Sequence, residues 1–374
     1  MDLPFNSNAV SAFTQLEDLN VKYEKKYGVP PFNVSYWDPS IEVANHLLPY
    51  LYIKYPDTLI DYKYTYLLSD LKYSLLKKLG FCKNVKDCIL TSNGTQSLMM
   101  AIHFIRHLGY SHINVLNPSY FSIRNNIKNE GIEIEDLYFG EQENTYWLER
   151  KNQVFWLTNP LYSTGIYLDK KMIDKIAYVL QNNLVICDEC VAAHGMELGA
   201  KLGNHLNFIG IYAPHKSLCV NGIKFSCIVF NSSQSDFFDE CTDYMTGGLN
   251  TANIAALKHF LSPYYQTYQR QFSEIIESAH EFIYENCRRS KKIRFSSKAT
   301  HYLMSIYFPN IIAQKGFDKE FLWKIINRTG ASFIPGIYNK FPKSNGFCFR
   351  INLARDSPQF RASIIRLISY ISSI

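Results

Sequence analysis

Short apolar runs alternate with amphipathic segments through the middle of the chain. The runs typical of buried strands are CILT, INVLN, QVFWL, LVICD, FIGIYA and SCIVF. Between the third and fourth of these, DKKMIDKIAYVLQNN has helical periodicity, and Asp169 stands where a helix cap belongs. Strands that alternate with helices in this way predict a mostly parallel sheet covered by helices on both faces.

The pattern changes after Asn250. A long helical stretch follows, with Pro263 to bend it, and beyond it lie three strand-like runs, HYLMSIYF, ASFIPG and FCFRINLA. The predicted fold class is α/β, with a large domain of mostly parallel sheet flanked by helices and a smaller α+β C-terminal domain. The predicted boundaries are 1–50 for an N-terminal arm with part of the small domain, 51–255 for the large domain, and 256–374 for a long linking helix with the small C-terminal domain.

Composition narrows the class of protein. The chain has 374 residues, 47% of them hydrophobic, which is enough for a sizeable buried core. The net charge of +6 is spread along the chain, so we expect no nucleic-acid partner. No apolar run approaches the roughly 18 residues of a membrane span, and the first residues lack the features of a signal peptide. We therefore expect a cytoplasmic protein with no membrane partner.

The nine cysteines are scattered, and several lie in strand-like runs, which is typical of reduced core thiols. Cys187 and Cys190 form a C-x-x-C pair. No second pair stands at metal-ligand spacing from it in the sequence, so we predict no metal site.

Unusual chemistry is concentrated where strands end, which is where open α/β sheets bind their ligands. The four places are SNGTQS at residues 92–97, TNPLYSTG at residues 158–165, Asp188 and Lys216. The first opens a helix and is a candidate anion cradle. Each feature alone also has an ordinary structural explanation: a turn, a helix cap or a satisfied core carboxylate. Their order along the chain carries the argument.

The order fits one cofactor. A lysine that attacks an aldehyde needs a lowered pKa, which burial and a neighbouring cation supply, and Lys224 is a candidate neighbour for Lys216. An acid beside a pyridine nitrogen keeps that ring protonated, and Asp188 is placed for this. Phosphate cradle, ring acid and lysine together predict a pyridoxal 5'-phosphate site, with Lys216 forming the Schiff base.

These residues resemble the fold-type I pyridoxal-phosphate enzymes, in particular the class I/II aminotransferase family, over nearly the whole chain. The motif NGTQ is similar to the family's phosphate-binding helix start, which implies that Gly94, Thr95 and Gln96 bind the phosphate. The turn NPSY is similar to the family's Pro-x-aromatic turn, which implies that the Tyr120 ring stacks on the cofactor. The Asp-Glu pair in CDEC is similar to the pair that follows a buried strand in the family, which implies that Asp188 contacts the pyridine nitrogen.

The resemblance extends to both sides of this segment. Lys216 is followed by Gly222 after six residues and by Lys224 after eight, similar to the family's lysine motif, which implies a phosphate contact for Lys224. The strand RINLA implies that Arg350 binds the substrate α-carboxylate, a role suited to a bidentate fork. The family builds its sites from two subunits, which implies a homodimer. The resemblance also implies that one tyrosine reaches the phosphate bound by the partner subunit. Tyr62 is the first candidate for this role and Tyr64 the second.

The sequence departs from the family pattern at five positions. Tyr162 stands where the family has an Asn on the ring hydroxyl, and Val191 where it has a Tyr on the same group. Tyr162 is a candidate replacement donor, and Asn159 in the same turn is a further candidate for cofactor contact. Ala213 replaces a phosphate-binding Ser, and His215 directly precedes the lysine. The fifth departure is the lysine at position 224, where an arginine is commoner.

Three further residues have two interpretations each. Tyr36 and Trp37 fall where the family places a loop over the substrate, so they either shape the substrate pocket or pack between domains. His194, six residues after Asp188, either orients that acid or belongs to a surface loop.

The sequence thus predicts an aminotransferase that uses pyridoxal phosphate and acts on a free amino acid, with a keto acid as the second small-molecule partner. One alternative is a lyase, decarboxylase or oxidase on the same fold, favoured by Tyr162, Val191 and the His–Lys pair, which is similar to that of the basic amino-acid decarboxylases. The other is a non-catalytic ligand-binding relative, because fold constrains function loosely.

Overall fold

The computed structural model describes residues 9–53, 68–138, 149–245, 247–288 and 290–374. The helices are α1 (Ala9–Tyr27), α2 (Ile41–Leu47), α3 (Ser69–Lys78), α4 (Gly94–His107), α5 (Phe121–Asn129), α6 (Lys170–Val179), α7 (Gly199–Leu202), α8 (Ser235–Met245), α9 (Thr251–Leu261), α10 (Pro263–Cys287), α11 (Lys319–Thr329) and α12 (Pro358–Ser373). The strands are β1 (Phe32–Asn33), β2 (Lys86–Thr91), β3 (His112–Asn117), β4 (Glu133–Tyr138), β5 (Val154–Thr158), β6 (Leu184–Glu189), β7 (Phe208–Tyr212), β8 (Ser226–Asn231), β9 (Leu303–Phe308), β10 (Ala331–Ser332), β11 (Ile334–Pro335) and β12 (Phe347–Asn352).

The contacts divide the chain into two compact units. We call Leu48–Leu161 with Tyr167–Gln271 the large unit. We call Met1–Leu47, Tyr162–Ile166 and Phe272–Ile374 the small unit. The short segment Tyr162–Ile166 therefore belongs to the small unit although the chain on both sides of it belongs to the large one.

The large unit is built on a seven-stranded sheet in the order β2-β8-β7-β6-β5-β3-β4. Neighbours pair in parallel except β8, which runs antiparallel to both β2 and β7. The predicted α/β fold with a mostly parallel sheet is confirmed, and one reversed strand is added to it.

Apolar residues fill both faces of this sheet. Trp156, Ile186 and Ile209 on central strands are wholly buried, and they belong to one core cluster with Met100 and Ile105 of α4. Buried strands with few polar positions are what the continuous apolar runs of the sequence predict, since a sheet covered on both sides has no solvent face.

Helix starts are set by side-chain caps. Asp169 accepts a hydrogen bond from the amide of Met172 at 2.8 Å, which confirms the cap predicted for α6. Asn250, Asp318 and Ser357 cap α9, α11 and α12 in the same way. Each cap satisfies one of the amides that a helix start leaves without a partner.

The single bent helix predicted after Asn250 is instead two helices. α9 ends at Leu261, Ser262 is extended with ψ 162°, and α10 starts at Pro263. Proline is favoured at the first position of a helix, where its missing N–H has no partner to lose, so it starts a new helix here.

The small unit has a three-stranded antiparallel sheet in the order β11-β12-β9 and a two-stranded parallel pair, β1 with β10. Helices α11 and α12 belong to the same unit. The predicted smaller α+β C-terminal domain is confirmed as a fold. In the described part of the chain, no helix is both long and apolar enough to cross a membrane.

Candidate active site

The side chains predicted at strand ends of the large unit lie along one edge of its sheet. Strands β2, β3, β5, β6 and β7 share a direction, because the reversed β8 separates β2 from β7. Their carboxyl ends therefore meet at that edge, where β8 begins at Ser226 opposite Thr91. The predicted site residues that lie at or after these ends, or precede β8, are Gly94, Thr95, Gln96, Tyr120, Asn159, Asp188, Lys216 and Lys224.

The start of α4 fits an anion. Asn93 caps the helix by accepting the Gln96 amide at 3.1 Å, which leaves the amides of Gly94 and Thr95 ahead of the first intrahelical hydrogen bond. A Cβ on Gly94 would stand 2.7 Å from the Cys190 Sγ, so only glycine fits against that thiol. Thr95 is exposed.

The side chain of Gln96 is engaged within the protein. Its Oε1 accepts the amide of Ser92 at 2.8 Å, and its Nε2 donates to the carbonyl of Met245 at 3.0 Å. Gln96 therefore joins the loop before α4 to the end of α8, and this stabilises the loop in which an anion would sit.

Asn253 is a site residue that the sequence analysis missed. Its Nδ2 donates to the carbonyl of Ser92 at 3.2 Å and to the carbonyl of Lys224. One buried amide of α9 thus links the two segments predicted to bind phosphate, while the Lys224 side chain itself is exposed. An Asn near a helix start is too common for its sequence position to have revealed this role.

Lys216 lies in a short 3-10 turn, Lys216–Leu218, after β7. Its amide donates to the carbonyl of Ala213 at 2.9 Å. Its Nζ stands 5.3 Å from the centre of the Tyr120 ring. β7 and the turn after β3 thus bring together the lysine predicted to form the Schiff base and the ring predicted to stack on the cofactor.

Asp188 is the second-last residue of β6 and is only 5% exposed. Its Oδ1 accepts the amide of Cys190 at 3.0 Å. Burial raises the pKa of this carboxyl, and the Cys190 amide and the charge of Lys216 act against that rise. A positively charged group beside Asp188 would therefore favour the ionised form.

Glu189 forms a second acidic centre directly behind it. Its Oε1 accepts hydrogen bonds from the Asn159 Nδ2 at 2.6 Å and from the Leu198 amide at 2.8 Å. Burial raises the pKa of Glu189 to about 8, so its protonated form dominates at neutral pH. Asn159 also donates to the Met196 carbonyl and accepts the Leu168 amide, which fixes its amide within the fold.

The two histidines singled out in the sequence have different partners. His194 Nδ1 lies 3.0 Å from Glu197 Oε1, so this histidine pairs with a loop carboxylate. His215 Nε2 lies 3.0 Å from the Nδ1 of His259 on α9. Neither contact was predicted. His259 is 44 positions from His215, and a glutamate three positions from His194 is too common to indicate a contact.

The small unit holds a second candidate centre around Arg350 on β12, which is 1% exposed. Its Nη2 donates to the carbonyl of Ser35 at 2.7 Å, and its Nη1 donates to the Tyr162 hydroxyl at 3.2 Å. Its Cζ lies 4.7 Å from the centre of the Trp37 ring. The buried Nε has no partner, and no carboxylate pairs with this guanidinium anywhere in the described ranges.

A tight turn at residues 163–165 follows Tyr162 and positions its hydroxyl next to Arg350. Ser163 has φ 60°, in the left-handed region, and its carbonyl accepts the Ser305 hydroxyl at 2.8 Å. Gly165 has φ +74°, and a Cβ there would stand 2.9 Å from the Leu303 carbonyl, so glycine is required. The turn is thus fixed against β9 of its own unit.

Tyr36 and Trp37 are held by Asn352, whose Nδ2 donates to their carbonyls at 2.8 and 3.2 Å. The Tyr36 hydroxyl donates to Glu17 Oε1 at 2.9 Å, and burial with this contact raises its pKa to about 12. Trp37 contacts the Arg350 centre, whereas Tyr36 is directed to α1. Tyr62 and Tyr64 lie outside the described residues.

The sequence pattern named aminotransferase class I and II matches residues 45–365. The chain belongs to this family. Aminotransferases of class I and II depend in general on pyridoxal phosphate, and by family the chain is an aminotransferase-like enzyme. No curated protein matches the chain by sequence.

Solved aminotransferase structures share the fold. YbdL from Escherichia coli, with an identified methionine aminotransferase function, has 14% identity and a TM-score of 0.71, covering 99% of this chain and 100% of its own. A kynurenine aminotransferase from Pyrococcus horikoshii, in complex with PMP, has 14% identity and a TM-score of 0.73, covering 96% and 94%. A tyrosine aminotransferase from Leishmania infantum has 14% identity and a TM-score of 0.73, covering 96% and 97%.

The structure shows the surroundings of three residues at which the chain differs from the family pattern. The Tyr162 hydroxyl accepts a hydrogen bond from Arg350, so in this structure it supports the guanidinium. Val191 is buried and has no polar group to offer. His215 is turned to His259.

Proposed function

We propose that the chain is a pyridoxal-phosphate-dependent aminotransferase that acts on a free amino acid and a keto acid, with the cofactor held by Lys216 as a Schiff base. One observation carries this proposal. The Lys216 amine stands 5.3 Å from the centre of the Tyr120 ring, and its charge acts on the buried carboxyl of Asp188. An amine, an aromatic face and a buried acid at neighbouring strand ends form a site for a flat, cationic ring with an aldehyde.

The cradle at α4 supports the same cofactor. The first amides of α4 have no partner within the helix, and the helix dipole favours a phosphate at this end. In this proposal the amides of Gly94 and Thr95 bind the phosphate at the helix start, Gln96 supports their loop through its contacts with Ser92 and Met245, and Lys224 adds charge. Asn159 is proposed to act indirectly, through Glu189.

Asp188 is proposed to hold a proton on the pyridine nitrogen, and Tyr120 to stack on the ring. Bound pyridoxal phosphate supplies a ring that withdraws electrons from the α-carbon of the substrate. The ionised form of Asp188 is favoured by a cation beside it, which offsets the effect of burial on its pKa. Lys216 Nζ is proposed to take the α-proton of the substrate and later to return a proton.

Arg350 is proposed to bind the substrate α-carboxylate. A buried guanidinium without a carboxylate partner is unfavourable unless an anion completes it. The Ser35 carbonyl, the Tyr162 hydroxyl and the Trp37 ring hold the group in one orientation. A fixed planar fork is suited to a carboxylate.

The resemblance to the family also supports a homodimer, with Tyr62 of each subunit reaching the partner's phosphate site. Light scattering on the purified protein tests the assembly. Replacement of Tyr62 by Phe, with Tyr64→Phe as the matched control, tests which tyrosine contributes.

The experiment that tests the function is a visible absorbance spectrum of the purified protein, followed through single-turnover addition of each common amino acid. Bleaching of the cofactor band without release of ammonia supports transamination and identifies the substrate. A protein that stays colourless after addition of pyridoxal phosphate overturns the cofactor assignment.

A second candidate function is a lyase, decarboxylase or oxidase acting on an amino acid. It is favoured by Val191, whose side chain has no donor for the ring hydroxyl, and by Tyr162, whose hydroxyl accepts a hydrogen bond from Arg350. Release of ammonia, carbon dioxide or peroxide in the same experiment would select it over transamination.

A further inference from the structure

The residue directly before Lys216, His215, is one of a pair of buried imidazole rings. The Nε2 of His215 is 3.0 Å from the Nδ1 of His259, and the two residues are only 1% and 3% exposed. His259 is on α9, the same helix whose Asn253 holds the Ser92 and Lys224 carbonyls. The proposed function assigns no role to either histidine.

The geometry fixes how many protons the pair holds. A hydrogen bond between two ring nitrogens requires one N–H and one lone pair, so one proton lies between the rings. The remaining nitrogens, His215 Nδ1 and His259 Nε2, are buried and have no partner among the described residues. A further proton on the bridging acceptor would set two N–H groups against each other, and on a remaining nitrogen it would leave a buried charge. The pair is therefore stable when both rings are neutral.

The surroundings support this neutral state. Burial lowers the pKa of His215 to about 3, and the charge of His259 contributes to the lowering. Burial lowers the pKa of His259 to about 4, with a contribution from the charge of Lys78. The titratable groups next to the pair are Lys78 on α3, Lys216 in the turn and Tyr265 on α10. His194 lies beyond Tyr265 and is paired with Glu197. Glu197 already accepts from Gly195 and contacts His194.

The backbone of the lysine turn depends on its neighbours. The carbonyl of His215 accepts the amides of Leu218 and Val220, each at 3.1 Å, which closes the turn on itself. The Pro214 carbonyl accepts the hydroxyls of Ser217 at 2.7 Å and Tyr265 at 2.9 Å. The His215 ring adds a side-chain bond from the turn to α9.

We propose that the His215–His259 pair is a positioning device for Lys216: the hydrogen bond between two neutral imidazoles holds the lysine turn on α9 and so fixes the amine over Tyr120. The inference rests on the proposed Schiff-base role of Lys216. Both histidines are positioning residues, because they act through the turn.

The test measures how fast Lys216 captures the cofactor. Apo-protein is mixed with saturating pyridoxal phosphate at pH 7.5, reduced with borohydride at set times, and the labelled Lys216 peptide is quantified by mass spectrometry. His259→Phe keeps a ring of similar size but removes the hydrogen bond. His259→Asn keeps a polar atom near the Nδ1 position and cannot titrate.

We expect His259→Phe to slow labelling of Lys216 by about tenfold or more, since misplacing a reacting group by about 1 Å can lower its rate by about 100-fold. His259→Asn is expected to restore at least half of the wild-type rate. His301→Asn is the matched control, because His301 is also buried but bonds to the Leu303 amide in the small unit, and it should label at the wild-type rate.

A second measurement follows the unfolding free energy of the apo-protein with pH. The unfolded histidines gain protons near their usual pKa of 6.5, whereas the folded pair stays neutral down to about pH 4. Stability is therefore full above pH 6.5 and falls as the pH drops from there to about 4. His259→Asn should remove about one proton from the pH slope in that window.

The outcomes are separable. Equal labelling rates in wild type, His259→Phe and His259→Asn, all folded by circular dichroism, overturn the positioning role alone. No labelling of Lys216 in the wild type overturns both this inference and the proposed function. An unchanged pH slope in His259→Asn shows that the pair is not held neutral and also overturns the inference.

Discussion

The two candidate centres of this protein are built in different ways. In the large unit, Gly94, Tyr120, Asp188 and Lys216 each lie at or soon after the end of a strand, and the direction of the strands brings them to one edge. In the small unit, the partners of Arg350 are distant in sequence. Tyr162 precedes it by 188 positions and Ser35 by 315 positions.

The difference shows what a regular sheet contributes to a site. A parallel sheet places successive strand ends together whatever the loops contain, so the placement of Asp188 and Lys216 does not depend on loop residues such as Val191. The Arg350 centre is not positioned by the ends of parallel strands, because β12 lies in an antiparallel sheet. Its geometry comes from specific contacts, among them the Asn352 amide on the Tyr36 and Trp37 carbonyls. Substitutions should therefore act on chemistry in the first centre and on orientation in the second.

The largest effect is expected from Lys216→Ala. Removing the amine that is proposed to bind the cofactor and move the α-proton should lower kcat by on the order of 1,000-fold or more. The cofactor absorbance should shift to that of the free aldehyde, with binding through the phosphate retained. Lys170→Ala, an exposed lysine on α6, is the control and should behave as wild type. Full activity in Lys216→Ala would refute the role of this centre.

The next effect concerns orientation. Arg350→Lys keeps the charge but loses the fork, and we expect KM for the amino acid to rise by about 10- to 100-fold, the range for hydrogen bonds to charged groups. The change in kcat should be smaller, because the reacting groups are untouched. Steady-state kinetics measure both. Arg366→Lys on the exposed face of α12 is the control, and a KM unchanged in Arg350→Lys would contradict the carboxylate assignment.

Asn253→Ala should have a smaller effect, confined to the cofactor. Losing the two bonds to the Ser92 and Lys224 carbonyls should raise the Kd for pyridoxal phosphate by about tenfold. Asn253→Asp should weaken binding further, because a carboxylate would face two carbonyls near the phosphate. Titration followed by absorbance measures both. Asn129→Ala on the exposed end of α5 is the control, and the reverse order of Ala and Asp would contradict the link.

The smallest expected effect is on stability and pH. Because the folded pKa of Glu189 is about 8 and its usual value is 4.5, the folded protein keeps a proton that the unfolded chain loses between those values. Stability from this group is full below pH 4.5 and is lost as the pH rises to about 8. Glu189→Gln should remove a slope of up to about 1.4 kcal/mol per pH unit in that window. Urea unfolding at pH 5, 6, 7 and 8 measures it, with exposed Glu42→Gln as the control. An unchanged slope would show that Glu189 is ionised in the folded protein.

Much of the large unit was predictable from sequence because its features are local. The apolar runs predicted the strands, and Asp169 predicted the cap of α6. The position of Asp188 and Lys216 at strand ends predicted that they lie at the same edge of the sheet. The reversed direction of β8 was not predictable, since a short buried run carries no sign of its orientation. The split at Pro263 was misread because a proline can bend a helix or start one.

The remaining parts of both centres depend on long-range contacts. Tyr162 was expected near the ring hydroxyl of the cofactor as a candidate, and the structure shows its hydroxyl on Arg350. The His215–His259 bond and the Asn253 link join residues on separate elements with no pattern between them. Propensity and periodicity describe single elements, so pairings of this kind appear only when the chain is folded.

The pairing of β1 with β10 has a consequence for synthesis on the ribosome. Asn33 and Ser332 are separated by 299 positions, and at the usual rate of about 5–20 residues per second the first waits about 15–60 s for the second. All segments of the large unit leave the ribosome in that interval. The early segment with Ser35 must therefore remain without its final partners until β12 is made. The Arg350 centre therefore forms only after the whole of the large unit has been synthesised.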